Sequence, residues 1–87
     1  MTRQEAETWR VHRLKTWPNH FREILMGRKH TEFRRHDRDF QAGDILVLRE
    51  YDPKKSEYTG RELQRKVTYL YVPEECSTHV VMEMEEL

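Results

Sequence analysis

The sequence predicts an α+β fold, mainly β: a small five-stranded β-barrel with one helix between strands 1 and 2. Three observations lead there. Phe21, Ile24 and Leu25 form the clear apolar stripe of helical spacing, so one helix is expected. The run Ile45-Leu46-Val47-Leu48 is apolar on both faces, as a central strand enclosed by neighbours must be. Finally, a chain of 87 residues buries only about 60–65% of its extended surface. A core that thin favours a closed or nearly closed barrel, which leaves no exposed edges.

The elements follow in order along a single domain, 1–87, whose core is expected at about 10–84. Residues 1–8 are polar and charged and are expected to fray. Val11 and Leu14, near Trp9, suggest a first strand around Arg10 to Leu14. Lys15-Thr16-Trp17-Pro18 turns the chain into the helix, where Pro18 suits the first position because its missing N–H costs nothing there. Gly27 stands where a left-handed cap residue would end it. A second strand is expected from His30 to Arg35. Its period of two puts Thr31 and Phe33 on one face and His30, Glu32 and Arg34 on the other. Phe33 is taken as the inward residue, so that Glu32 and Arg34 project together from the opposite face with Lys29 just before them.

The stretch from His36 to Asp44 is rich in turn formers, with Phe40 as an apolar anchor and Gly43-Asp44 as the turn into the central strand. Asp52 to Gly60 reads as a nine-residue polar loop. Arg61 to Val72 is a long strand with Val67, Tyr69 and Tyr71 alternating against Thr68, Leu70 and Val72. Pro73-Glu74-Glu75 breaks it, and Thr78 to Met84 forms the last strand with Val80, Met82 and Met84 on one face.

Composition narrows the function. Hydrophobic residues make up 36% and charged residues 37%, polar for a globular domain, yet the aromatics supply a core. The single Cys76 excludes an internal disulfide framework and fits a reducing compartment. MTRQEAETWR has no apolar run, so no signal peptide is expected, and no segment approaches membrane-spanning length. A cytoplasmic monomer without membrane contact is the expectation. The net charge is zero, but all 16 Lys and Arg lie at or before Lys66 against 11 Asp and Glu in that stretch, while the last fourteen residues hold five Glu and no cation. A basic face able to meet phosphate is compatible with that asymmetry; tight, sequence-blind binding along a duplex is not.

The chemistry concentrates between Gly27 and Phe40, GRKHTEFRRHDRDF. Glu32 as a carboxylate can accept from an exocyclic amine, and the Arg34 guanidinium can bridge phosphate or stack on a ring. The alternative is an ion-pair network in which Lys29, Arg34 or Arg38 neutralises Glu32. Lys15 and Trp17 precede the helix, where exposed N–H groups attract anions. Trp17 could stack on a base, although an aromatic beside a helix start is more often core. Asp37, Arg38 and Asp39 read as turn and strut residues, and Lys54, Lys55 and Tyr58 as an exposed hairpin tip. No metal site is expected, because there is no H-E-x-x-H, no paired Cys and no histidine pair at i, i+4. Neither serine lies in a nucleophile elbow, and no glycine pattern suggests a nucleotide cofactor.

Gly27-x-Lys29-x-x-Glu32-x-Arg34 resembles the G-x-K-x-x-E-x-R signature of ASCH domains, members of the PUA-like β-barrel superfamily. Leu14-Lys15-Thr16-Trp17-Pro18, Asp37-Arg38-Asp39-Phe40, Gly43-Asp44-Ile45-Leu46-x-Leu48-x-Glu50 and Tyr58-Thr59-Gly60-Arg61 extend the match over roughly residues 12 to 84. Together they resemble a compact, mainly bacterial and phage ASCH-like branch known as a domain of unknown function. The resemblance implies a PUA-like barrel, a helix beside a cleft, and binding of RNA or nucleobases in regulation or processing. It places the signature residues Lys29, Glu32 and Arg34 at that cleft; Lys15, Trp17 and Arg38 are expected to join them, with Arg38 orienting Glu32. A related amidohydrolase branch acts on acylated cytidine through a threonine at the fourth motif position, where this chain has Glu32. An enzyme here would instead use Lys29 and Glu32 as acid and base, without a cofactor. A protein–protein adaptor binding through its acidic end, Glu83-Met84-Glu85-Glu86, is the third expectation.

Overall fold

A computed structural model describes residues 10–87; Trp9 and the segment expected to fray lie outside it. The elements are β1 (Val11–Thr16), α1 (Pro18–Leu25), β2 (Thr31–Arg35), β3 (Ile45–Asp52), β4 (Glu57–Tyr71) and β5 (His79–Glu86). The strands form one sheet in the order β1-β3-β4-β5-β2. β1 runs parallel to β3, and every other pairing is antiparallel. The parallel pair follows from the connection, since α1, β2 and the loop after it carry the chain back before β3 begins.

The barrel does not close. β1 and β2 are the two sheet edges, and the curled sheet is a half-barrel. Side chains span the gap in place of a ladder. Residues along β1 alternate between facing β3 and facing away; Arg10 O accepts from Ile45 N at 2.8 Å, so the Arg13 and Lys15 carbonyls face the open seam. Arg38 Nη1 donates to Arg13 O at 3.0 Å and Arg34 Nη2 to Lys15 O at 2.8 Å. Two guanidinium groups thus satisfy carbonyls that a fifth pairing, β1 with β2, would otherwise have taken.

The core lies on the concave side and gathers Leu14, Ile24, Phe40, Leu46, Leu48, Val67, Val80, Met82 and Met84. Each of the larger side chains contributes about 1.5–3 kcal/mol through burial. Ile45 to Leu48 are all buried, as a central strand requires, and Val80, Met82 and Met84 share the inner face of β5. α1 begins at Pro18 and buries Phe21 and Ile24, whereas Leu25 is exposed, so the apolar stripe is narrower than its spacing suggested. It ends in a Schellman motif. Arg28 N donates to Glu23 O at 2.9 Å and Gly27 N to Ile24 O at 3.1 Å, with Gly27 at φ +80°, a conformation that favours glycine. No helix among the described residues is long and apolar enough to cross a membrane.

β1, the hairpin loop and β4 each differ from expectation. β1 extends to Thr16 with His12, Leu14 and Thr16 buried. The Asp52–Gly60 loop shrinks to residues 53–56, because Tyr51 and Tyr58 pair across the strands. Asp52 Oδ1 holds this turn by accepting from Lys54 N at 2.9 Å. In β4 a bulge between Val67 and Tyr69 breaks the simple alternation: Val67 is fully buried, but Tyr69 and Tyr71 are exposed on the outer face.

The inversion with the largest consequence is in β2. Glu32 lies opposite Met82 and Arg34 opposite Val80, both core residues, so the charged pair faces inward. Glu32 is 4% exposed and Phe33 56%, the reverse of the expected polarity. The period of two holds, but register with β5 decides which face is buried, and a single-residue shift exchanges the faces. Outside, Phe33 stacks on His79 with ring centroids 4.8 Å apart.

A second buried pair ties β1 to the turn before β3. His12 Nε2 and Asp44 Oδ2 are 2.8 Å apart, Gln41 N donates to the same oxygen at 3.0 Å, and the Phe40 ring lies 4.6 Å from the imidazole. Asp44→Ala strands the buried imidazole and a turn amide without a partner. It is expected to cost about 3 kcal/mol, read as a lower urea midpoint at unchanged slope.

Candidate functional site

The seam between β1 and β2 opens at one end into a cavity of about 330 Å³. Lys15, Thr16 and Trp17 line it from the end of β1, His20 from the first turn of α1, and Lys29, Glu32, Phe33 and Arg34 from the chain entering β2. Five of the six residues expected in the cleft are therefore together: Lys15, Trp17, Lys29, Glu32 and Arg34. Arg38 is elsewhere on the seam, bound to the Arg13 carbonyl and 3.9 Å from Asp37, and does not orient Glu32.

Glu32 is the buried centre. Arg34 Nε donates to its Oε1 at 2.7 Å, while the same guanidinium reaches Lys15 O and, at 3.4 Å, Thr16 Oγ1. A carboxylate taken out of water costs several kcal/mol, so this pairing is a condition of its burial. Among the described residues Oε2 has no hydrogen-bond donor, which leaves one carboxylate oxygen for the cavity.

Phe33 lines the cavity while its ring stacks on His79. Met84 N donates to His30 O and His36 N to Thr78 O, so the even-numbered residues of β2 face β5. The N–H and C=O of Phe33 consequently face the seam. The cavity thus offers a carboxylate oxygen, one amide donor and one carbonyl acceptor within a cationic rim.

The rim is not built quite as the sequence suggested. Lys15 Nζ sits 4.1 Å over the Tyr51 ring, so its ammonium is held on the side of the cavity toward the β3–β4 hairpin. Trp17 is not core; it is 45% exposed, with its ring 5.7 Å from Tyr51. Its extended backbone (φ −64°, ψ 152°) caps α1, whose first turn carries no acidic residue and no side-chain cap. That helix end favours negative charge. Lys29 follows the Schellman motif, its N–H anchored to Glu23 O at 3.1 Å. Thr16, His20 and Phe33 were missed as cavity residues. Thr16 shares the inward parity of Leu14, a signal available in the sequence, whereas His20 required the helix orientation. Among the described residues no three His, Cys, Asp or Glu side chains converge to hold a metal ion.

Residues 11–84 match the family model for a domain of unknown function, DUF3850. The chain belongs to this family. It is also 34% identical over 59 residues to a protein of Escherichia phage P2 described as an uncharacterized 12.9 kDa protein in the GpA 3' region. That alignment covers 68% of this chain and 52% of the phage protein, so the chain spans about half the length of the curated relative it matches.

Behind the cavity, this DUF3850 domain carries a second charged cluster. Glu50 is buried beside α1 and accepts from Arg61 Nε at 2.9 Å, Arg61 Nη2 at 3.1 Å and Thr59 Oγ1 at 2.8 Å. The Arg61 guanidinium also lies 4.9 Å from the Phe21 ring centre. A bulge makes this convergence: between Arg49 and Tyr51 the register advances two residues on β3 but four on β4, with Gly60 at φ +96°. Both Thr59 and Arg61 can then face the same carboxylate, which explains two of the sequence blocks that surround the signature.

The Arg61 guanidinium, against the opposing effect of burial and with help from Thr59, holds the Glu50 carboxyl below its ordinary value of 4.5. A carboxylate with a depressed folded value contributes stability above its unfolded pKa and loses it as pH falls through the folded one. Glu23, bound by Arg28 at the surface, shifts in the same direction. Stability is therefore expected to fall as acid is added below about pH 4.5, and Glu50→Gln to lower it at neutral pH while flattening that acid limb. Urea unfolding followed by tryptophan fluorescence at a series of pH values checks both.

Proposed function

We propose that this domain binds RNA or a nucleotide, taking a nucleobase or an unpaired RNA base into the cavity between β1 and β2, and that it is an ASCH-like member of the PUA-like superfamily. The observation that carries this reading is the Glu32–Arg34 pair: a buried carboxylate fixed through one oxygen, with the other available to a base amine. A cavity of about 330 Å³ suits one small planar group rather than a folded partner. Lys29, His20 and the uncapped start of α1 supply the positive side that a ribose phosphate favours. Support for the PUA-like assignment comes from the ordered motif blocks and from a curled five-stranded sheet with its helix between β1 and β2. A cytoplasmic location follows from an RNA ligand and an unpaired Cys76.

A second reading, hydrolysis of a modified nucleoside or of RNA, draws on Lys29 and Glu32 lining the same cavity. Thr31, next to the position of the related branch's nucleophile, is exposed and does not line it.

An amide-resolved NMR titration with cytidine monophosphate, acylated cytidine and short RNAs tests both readings. Binding is expected to shift the amides of Trp17, Lys29, Phe33 and Arg34, and Lys29→Ala and Glu32→Gln each to weaken it about tenfold. Product signals that grow with time and vanish in Lys29→Ala would favour hydrolysis. No shift at low salt with any of these ligands would sink both readings and direct attention to a protein partner.

A further inference from the structure

The cavity does not end at Trp17. The Tyr51 ring lies 5.7 Å from Trp17, and the Tyr58 ring 5.1 Å from Tyr51 in an edge-on arrangement. Cations are interleaved with these rings: Lys15 Nζ is 4.1 Å over Tyr51 and the Arg49 guanidinium 4.0 Å over Tyr58. Tyr51 and Tyr58 are directly opposed across the β3–β4 hairpin, so both sit on one face near its tip. Lys54 and Lys55 follow in the turn, both exposed. Neither terminal ring of the row is absorbed by the core: Trp17 is 45% and Tyr58 41% exposed. Three of the nearby acids are already engaged, Glu50 by Arg61, Glu62 by Arg49 at 3.2 Å, and Asp52 by the turn amides.

A row of aromatic rings with cations between them is the chemistry that holds single-stranded nucleic acid, because every base has a stackable face and the cations meet the backbone. Lys15 and Trp17 belong to both the row and the cavity, which makes the two surfaces continuous. We propose that Trp17, Tyr51 and Tyr58, with Lys15 and Arg49, form a stacking track for the nucleotides flanking the base in the cavity, so that the ligand is a single-stranded RNA segment and not a mononucleotide. This rests on the cavity being a nucleotide site. Stacking supplies most of the added affinity, since from Arg49 to Glu62 the four acids balance the four cations.

The test is titration of the protein with uridylate and adenylate oligomers of one, three and five nucleotides, monitored by tryptophan fluorescence and calorimetry. Affinity is expected to rise about tenfold from one nucleotide to three. Tyr58→Ala should remove most of that gain and Tyr58→Phe keep it. Circular dichroism melting identifies any variant that has lost its fold. Equal affinity at all lengths, or a gain that Tyr58→Ala leaves intact, overturns the track while the cavity site stands. Binding of no oligomer at any length overturns both.

Discussion

The Arg34 guanidinium is the group on which the rest of the arrangement depends. A curled sheet that stops short of closing leaves two edges whose carbonyls need donors. Arg34 supplies one to Lys15 while its Nε neutralises the buried Glu32. The same five-donor fork therefore joins the two edges and makes the internal charge tolerable. Lysine could not serve both ends, because its single ammonium lacks that divergent geometry. The site and the closure of the fold are not separate features here. The cavity exists because the edges approach without pairing, and it is charged because the group that bridges them is.

A division follows between two kinds of charged contact. Arg38 and Arg34 satisfy edge carbonyls, whereas Asp44 and Glu50 are buried acids that fasten distant segments, the first holding His12 and the second Arg61. Three of these contacts join residues far apart in sequence, and the fourth, Glu50 with Arg61, spans the β3–β4 hairpin. For a chain with so high a charged fraction and so thin a core, this is how polar residues become structural. Each buried acid has its donor, and the apolar cluster is left to a few side chains, most of them on β3 and β5.

Much of this was legible in the sequence. Helix start and stop are local, set by Pro18 and by Gly27 with its forced backbone, and both stand where expected. The centrality of β3 follows from its apolar faces, and the inner row of Val80, Met82 and Met84 from strict alternation. The illegible parts are those that depend on a partner strand. The face that β2 buries is decided by β5, and an exposed Phe33 beside a buried Glu32 runs against hydrophobicity, the one local guide available. The bulges in β4 are invisible for the same reason, since an unpaired residue is defined by the opposite strand. Closure was overestimated because edge protection was equated with strand pairing, whereas arginines provide it here. The cleft residues came together except for Arg38, whose position depends on the turn after β2 and not on the strand.

Phe33 stands apart from the other cavity residues because its ring stacks on His79 while its peptide groups face the seam. A contact made by main chain is blind to the identity of the side chain above it. Position 33 is thus free to drift among residues suited to an exposed strand without altering what the cavity presents. Proline is the exception, since it would delete the donor that faces the seam. Invariance across a set of relatives would therefore underreport this part of the site, and a search for function by conserved side chains alone would pass over it.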